Sequence, residues 1–219
     1  MKEFDTIAAV ATPIGVGGVA IIRISGDSAE EVAGKIAFPK NGKKITELES
    51  HKLTLSEVKR ISDGVVLDEA LVAVMRGPNS YTGETVVEIN CHGGYFAAES
   101  IMEELFRAGV RQAEAGEFTR RAFVNGKMDL MGAEAVVDII HSNSALGQSN
   151  AAKVLSGKLS LQVESIREKA VLFAANISAV ADFPDEIEAI SEDELKARIE
   201  DICADIDSMI QGFSRGRIM

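Results

Sequence analysis

The chain has 219 residues, 46% hydrophobic and 26% charged, an ordinary globular mixture long enough for one large domain or two small ones. Its formal net charge of −11 excludes a general nucleic-acid-binding surface, because phosphate affinity comes from Lys and Arg. No run of about 18 apolar residues occurs, and Met1-Lys2-Glu3-Phe4-Asp5 lacks a signal peptide's apolar stretch, so no membrane association and a cytoplasmic location are expected.

Thr6 to Ala11 forms a short apolar, strand-like run, and Pro13 to Gly18 (PIGVGG) a turn-rich loop. Val19 to Ser25 (VAIIRIS) is β-branched and apolar apart from Arg23, which predicts a strand. Ser28 followed by Glu31 has the capping-box spacing of a helix start. His51 to Val58 alternates polar and apolar, Asp63-Gly64 is a turn signal, and Val65 to Met75 returns as a second strand. The loop Gly77 to Gly83 (GPNSYTG) precedes a further strand, Thr85 to Cys91, whose single charge is Glu88. His92-Gly93-Gly94 ends that strand, and a helix follows from about Tyr95 to Ala108, stopping at Gly109.

Beyond Leu130 the apolar spacing becomes helical, as at Val136, Ile139 and Ile140. Ser144 to Ala181 contains no proline and Pro184 closes it; a last helix is expected over Glu192 to Gln211. Residues 182–207 hold eleven acidic and two basic residues, the pattern of a solvated helix face. The order predicts an α+β protein: a mixed α/β domain, then an α-helical domain, with the change near residues 118–128.

Cys91 and Cys203 form no Cys-x-x-Cys pair, and His51, His92 and His141 are scattered, so neither a disulfide framework nor a metal site is expected. Gly15-Val16-Gly17-Gly18 is followed by a strand, not a helix, which suits a tight turn near another backbone better than a phosphate loop. No Gly-x4-Gly-Lys-Ser/Thr occurs: Gly157-Lys158 is followed by Leu159, and Ala152 stands where the first Gly belongs. Arg23 and Glu88 are lone charges in apolar strands. Each either faces solvent or belongs to a guanidinium-plus-carboxylate site for a ligand with paired donors and an acidic tail. Lys127, after Arg120, Arg121 and the Asn125-Gly126 turn, is either an exposed helix-end charge or a binding residue. His92 has no nucleophile or acid partner in the sequence pattern, which favours a structural role.

Several blocks in order resemble one family. They are Ala11-Thr12-Pro13 with Gly15, Gly17-Gly18 and Ile22-Arg23-Ile24-Ser25-Gly26; Gly77-Pro78-Asn79-Ser80-Tyr81-Thr82-Gly83-Glu84; and His92-Gly93-Gly94. Gly116-Glu117-Phe118-Thr119-Arg120-Arg121-Ala122-Phe123, Asn125-Gly126-Lys127-Met128-Asp129-Leu130, Ala133-Glu134-Ala135 and Asp182-Phe183-Pro184 complete the set. Together they resemble the MnmE (TrmE) family of tRNA-modifying GTPases. The resemblance implies a folate-binding and dimerisation domain over 1–120, similar to aminomethyltransferase, and part of a helical domain over 121–219. It implies 5-formyl- or 5,10-methylene-tetrahydrofolate as ligand, with Arg23, Glu88 and Lys127 at the folate-contacting positions. It further implies a homodimer that works with MnmG on the wobble uridine (U34) of tRNA. The sequence ends at Gly216-Arg217-Ile218-Met219, where the family continues into its GTPase domain. GTP hydrolysis, GTP, magnesium and potassium are therefore expected only in that domain, and no catalytic residue in this chain. The family's C-terminal cysteine motif is not present either, and Cys203 lies in the wrong region to replace it. Two rival readings are a stand-alone folate-dependent one-carbon transferase and an assembly scaffold that binds no ligand.

Overall fold

The computed structural model describes residues 5–13, 15–184 and 190–217, with side chains described to residue 211. Ile14 of the predicted Pro13–Gly18 loop and residues 185–189 of the acidic run lie outside these residues. The chain divides into two units, Met1–Met128 and Asp129–Met219.

In the first unit seven strands form one sheet. They are β1 (Ile7–Val10), β2 (Val19–Ser25), β3 (Ala37–Pro39), β4 (Thr54–Lys59), β5 (Val66–Met75), β6 (Val86–His92) and β7 (Arg111–Gln112). The order across the sheet is β3-β4-β5-β6-β2-β1-β7, antiparallel except for the β1–β7 pair. The period-2 pattern of β2 and β6 shows directly in burial: Ile22, Ile24, Val87 and Ile89 are fully buried on one face. Helices α1 (Ala29–Ile36) and α2 (Tyr95–Arg107) cover that face with Val32, Ile36, Ile101 and Leu105. Each such side chain contributes about 1.5–3 kcal/mol by leaving water. Residues on the opposite face, among them Arg23, Glu88 and Leu71, are only partly covered.

Helix α3 (Glu117–Val124) follows β7 and belongs to the first unit, where Arg121 and Ala122 are buried. It spans residue 120, the position at which the family resemblance divides the chain. Two local expectations differ. Ser28 precedes α1 but does not cap it: its backbone is not extended and its side chain makes no cap bond. Glu31 pairs instead with Lys35 at 3.3 Å. His51 has φ of 63° and its N–H donates to the Val74 carbonyl at 2.7 Å, so the strand begins only at Thr54.

The second unit contains α4 (Leu130–His141), α5 (Ala145–Leu155), α6 (Lys158–Asp182) and α7 (Glu192–Arg217). Asp129 and Ser144 cap α4 and α5 by accepting from the N–H groups of Gly132 and Gly147. The proline-free stretch is two helices, because Gly157 takes a left-handed φ of 75° and breaks it. Lys169 on α6 reaches Asp201 and Asp205 on α7 at 2.8 and 2.7 Å. Beside it lies a groove of about 400 Å³ walled by Leu172, Phe173, Ala197 and Ile202. No described residue of α6 is buried, and Leu161 and Leu172 are 73% and 65% exposed. Helices gain most of their stability from packing an apolar face. Hydrogen-exchange mass spectrometry is therefore expected to show weaker protection beyond about residue 130 than in the sheet. Equal protection throughout would contradict this. No helix among the described residues is long and apolar enough to cross a membrane.

Candidate functional site

The register of β2 on β6 sets Arg23 directly opposite Glu88. Neither is a lone charge. Arg23 Nε donates to Glu88 Oε1 at 2.8 Å, and Nη2 forms an ion pair with the same oxygen, also at 2.8 Å. The two side chains are 25% and 19% exposed, so the pair is sheltered yet reachable. The guanidinium carbon lies 5.0 Å from the Tyr81 ring centre and 5.6 Å from that of Phe118. Two aromatic faces thus favour the cation in addition to the carboxylate.

Tyr81 comes from the loop Gly77–Gly83, which contains a cis Gly77-Pro78 bond. Its hydroxyl shares a 2.9 Å hydrogen bond with Thr119 Oγ1 of α3. Lys127 belongs to the same neighbourhood by another route: its Nζ donates to the Pro78 carbonyl at 2.9 Å. Asn125 Nδ2 donates to the Thr82 carbonyl at 2.7 Å. Gly83 makes this docking possible. Its φ is +80°, and a Cβ there would stand 3.0 Å from Asn125 Cβ and 3.1 Å from Lys127 Cγ. The structure therefore brings Arg23 and Glu88 together as an ion pair. Lys127 joins the Tyr81 loop through its side chain, which meets the Pro78 carbonyl, and is bonded to neither Arg23 nor Glu88.

Behind this site lies an ionic network; Glu84, Glu117 and Arg121 fall in the blocks that carry the family resemblance, but nothing in the sequence pairs them. Arg121 is 1% exposed, and its Nη1 donates to both Glu84 carboxylate oxygens at 3.2 and 3.1 Å. Its Nη2 donates to Glu117 Oε1 and Asp5 Oδ1, each at 3.1 Å. Arg111 grips Glu117 through two bonds of 2.7 and 3.1 Å and also binds Asp5 at 2.6 Å. The Arg111 hydrogen bonds, opposed by burial and aided by the Glu114 N–H and Arg121, hold the Glu117 carboxyl down at about 2. The Asp5 carboxyl is also lowered, chiefly by its hydrogen bond to Arg111.

A depressed carboxyl stabilises the fold fully above its unfolded value of 4.5 and loses that contribution as pH falls toward about 2. The difference corresponds to roughly 3 kcal/mol. Melting temperature followed by circular dichroism is therefore expected to drop between pH 5 and pH 2. Glu117→Gln should start lower and show a shallower decline. A parallel decline in both proteins would rule out Glu117 as the source.

His92 is held by Asp68, whose carboxylate meets His92 Nδ1 at 2.6 Å and accepts from the His92 backbone N–H at 2.7 Å. The glycine-rich loop packs as a turn against backbone: Gly17 N–H donates to the Gly93 carbonyl at 2.9 Å. A Cβ at Gly93 would fall 2.6 Å from the Gly17 carbonyl carbon. This contact borders a cleft of about 620 Å³ lined by Thr12, Gly15, Gly93, Tyr95 and Met102. Arg23, Glu88 and Lys127 are not among its walls. Cys91 is buried, which pushes its thiol up to about 11, while Cys203 is exposed.

Fold and site define a protein with an α/β unit bearing a sheltered polar site, followed by a helical unit. Residues 6–127 match the family described as GTP-binding protein TrmE N-terminus, and residues 130–219 match the MnmE helical domain. The chain belongs to the MnmE (TrmE) family. It is 43% identical over 215 residues to the tRNA modification GTPase MnmE of Moorella thermoacetica, covering 98% of this chain and 46% of that protein. It is 41% identical over 216 residues to those of Carboxydothermus hydrogenoformans and Clostridioides difficile, covering 98% of this chain and 47% of each. The chain thus spans about half the length of the curated relatives it matches.

Proposed function

We propose that this chain is the folate-binding and dimerising portion of a cytoplasmic tRNA-modifying GTPase. The residues through Lys127 carry the binding role and the helical residues after them the link to the GTPase domain. The whole protein acts as a homodimer with MnmG on the wobble uridine of tRNA and hydrolyses GTP in a domain outside these residues. The observation that carries the reading is the sheltered Arg23–Glu88 pair, whose guanidinium lies near the Tyr81 and Phe118 rings.

The donor set fits a tetrahydrofolate. Both Arg23 contacts fall on Glu88 Oε1, which leaves Oε2 to accept from the amide N–H or amino group of a pterin. Arg23 supplies a cation whose orientation is set by the carboxylate. Lys127 supplies a second, exposed cation suited to the acidic tail of a folate. The bound 5-formyl or 5,10-methylene group supplies the one-carbon unit; the chain's residues bind and orient it.

Isothermal titration with 5-formyltetrahydrofolate tests the reading. Saturable binding at one site per chain is expected, with no binding of GTP or GDP, because Gly-x4-Gly-Lys-Ser/Thr is missing from these residues. No folate binding would leave the scaffold reading in place, and turnover of a one-carbon substrate by this chain alone would favour the transferase reading.

A further inference from the structure

From the ionic network behind the site we infer that Glu84 and Arg121 are positioning residues that hold Tyr81 and Phe118 against Arg23. This rests on the reading of Arg23 as a ligand-binding group. Three elements converge on the Glu84 carboxylate. Strand β2 reaches it through Ser25, whose Oγ donates to Glu84 Oε2 at 2.7 Å. Ser25 lies two residues beyond Arg23, on the same face of the strand. The Tyr81 loop reaches it through the chain itself: Thr82 Oγ1 lies 2.8 Å from Ser25 Oγ and accepts from the Glu84 N–H at 3.2 Å. Ser80 Oγ closes the loop by donating to the Glu84 carbonyl. Helix α3 reaches it through Arg121.

The helix explains why this matters at the site. Glu117 and Arg121, four residues apart, stack on its buried side. Phe118 and Thr119, the next two residues after Glu117, make the contacts to Arg23 and Tyr81. Glu84 therefore ties one wall, the Tyr81 loop, to the other wall, α3, and ties both to the strand that carries Arg23. Arg121 and Glu84 are 1% and 11% exposed, and burying such charges is costly. An apolar pair of similar volume could pack as well. What directed ionic hydrogen bonds add is one defined arrangement.

The experiment uses Glu84→Gln, which keeps an acceptor for Ser25 but removes the charge that Arg121 meets. Ser25→Ala is a milder second variant should the first fail to fold. Glu104→Gln is the control, since Glu104 is buried even more fully, at 2% exposed, but serves the Ile61 N–H and Arg107 instead. The sequence has two tyrosines, Tyr81 and Tyr95, so ring-labelled tyrosine gives two NMR signals, assigned with Tyr95→Phe. In ligand-free Glu84→Gln the Tyr81 signal is expected to move toward that of free tyrosine. Affinity for 5-formyltetrahydrofolate should fall roughly fivefold or more. Ser25→Ala should move both in the same direction by less, and Glu104→Gln should move neither. An unchanged Tyr81 signal in Glu84→Gln and Ser25→Ala, or an equal change in Glu104→Gln, overturns the inference. If Arg23→Ala leaves affinity intact, the folate reading fails, while the Tyr81 signal still decides the positioning role.

Discussion

Glu88→Ala is expected to weaken 5-formyltetrahydrofolate binding by about tenfold or more while leaving the fold nearly as stable as before. A charge-assisted hydrogen bond contributes about 1.5–3 kcal/mol, and each 1.4 kcal/mol is a factor of ten in affinity. On the proposed reading Glu88 would meet the ligand as well as Arg23, so its loss also frees the guanidinium to turn away. The ion pair itself adds little to folding, because at about one-fifth exposure its Coulomb energy is screened to about 1 kcal/mol or less. That corresponds to a fall of about 2–4 °C in Tm. Arg23→Ala should cost similar affinity. It should also flatten the salt dependence of binding, since one of the two cations proposed to meet an anionic ligand is gone. Lys127→Ala should cost less, because that side chain is exposed. Calorimetry at two salt concentrations beside thermal melts separates the cases. If affinity and Tm both stay at wild-type values in Glu88→Ala, the pair with Arg23 serves neither binding nor folding. If Tm collapses along with affinity, it is a structural partner rather than a binding group.

The second large effect is on stability. Arg121→Met is expected to destabilise the first unit by about 3–5 kcal/mol, because it leaves Glu84 and Glu117 buried beside each other without the cation they share. The neighbouring Arg120→Ala should change stability by only about 0.5 kcal/mol, since its side chain is 60% exposed and its contacts lie at 3.4 and 3.6 Å. Urea unfolding of both variants gives the comparison directly. Similar midpoints for the two would mean that the network relaxes around the loss and contributes no more than a surface pair.

That contrast also shows where sequence reading stops. Arg120 and Arg121 are chemically identical neighbours, and nothing local says which is buried. The answer depends on Asp5 and Glu84, which lie far away in the chain. Arg23 and Glu88 stand out because a charge inside a β-branched run breaks a local pattern. Their partnership does not, because it depends on the register of strands 65 residues apart. The long strands and α2 are legible from period and punctuation. Strands β3 and β7, of three and two residues, are too short to show any period. The break at Gly157 is hard to read from sequence for a physical reason. A single left-handed glycine ends a helix as effectively as proline, yet proline is the stronger signal in sequence. Ser28 failed in the opposite sense, with capping-box spacing but no extended backbone at the cap.

The two shortest strands close the sheet on either side. An open border of backbone amides and carbonyls invites a foreign strand, and length and flatness decide how strongly. Here one border is three residues that include Pro39, which has no amide to offer, and the other is two residues that begin with Arg111. Neither gives an incoming chain enough consecutive hydrogen bonds to hold it. Short borders of this kind protect a sheet against lateral polymerisation.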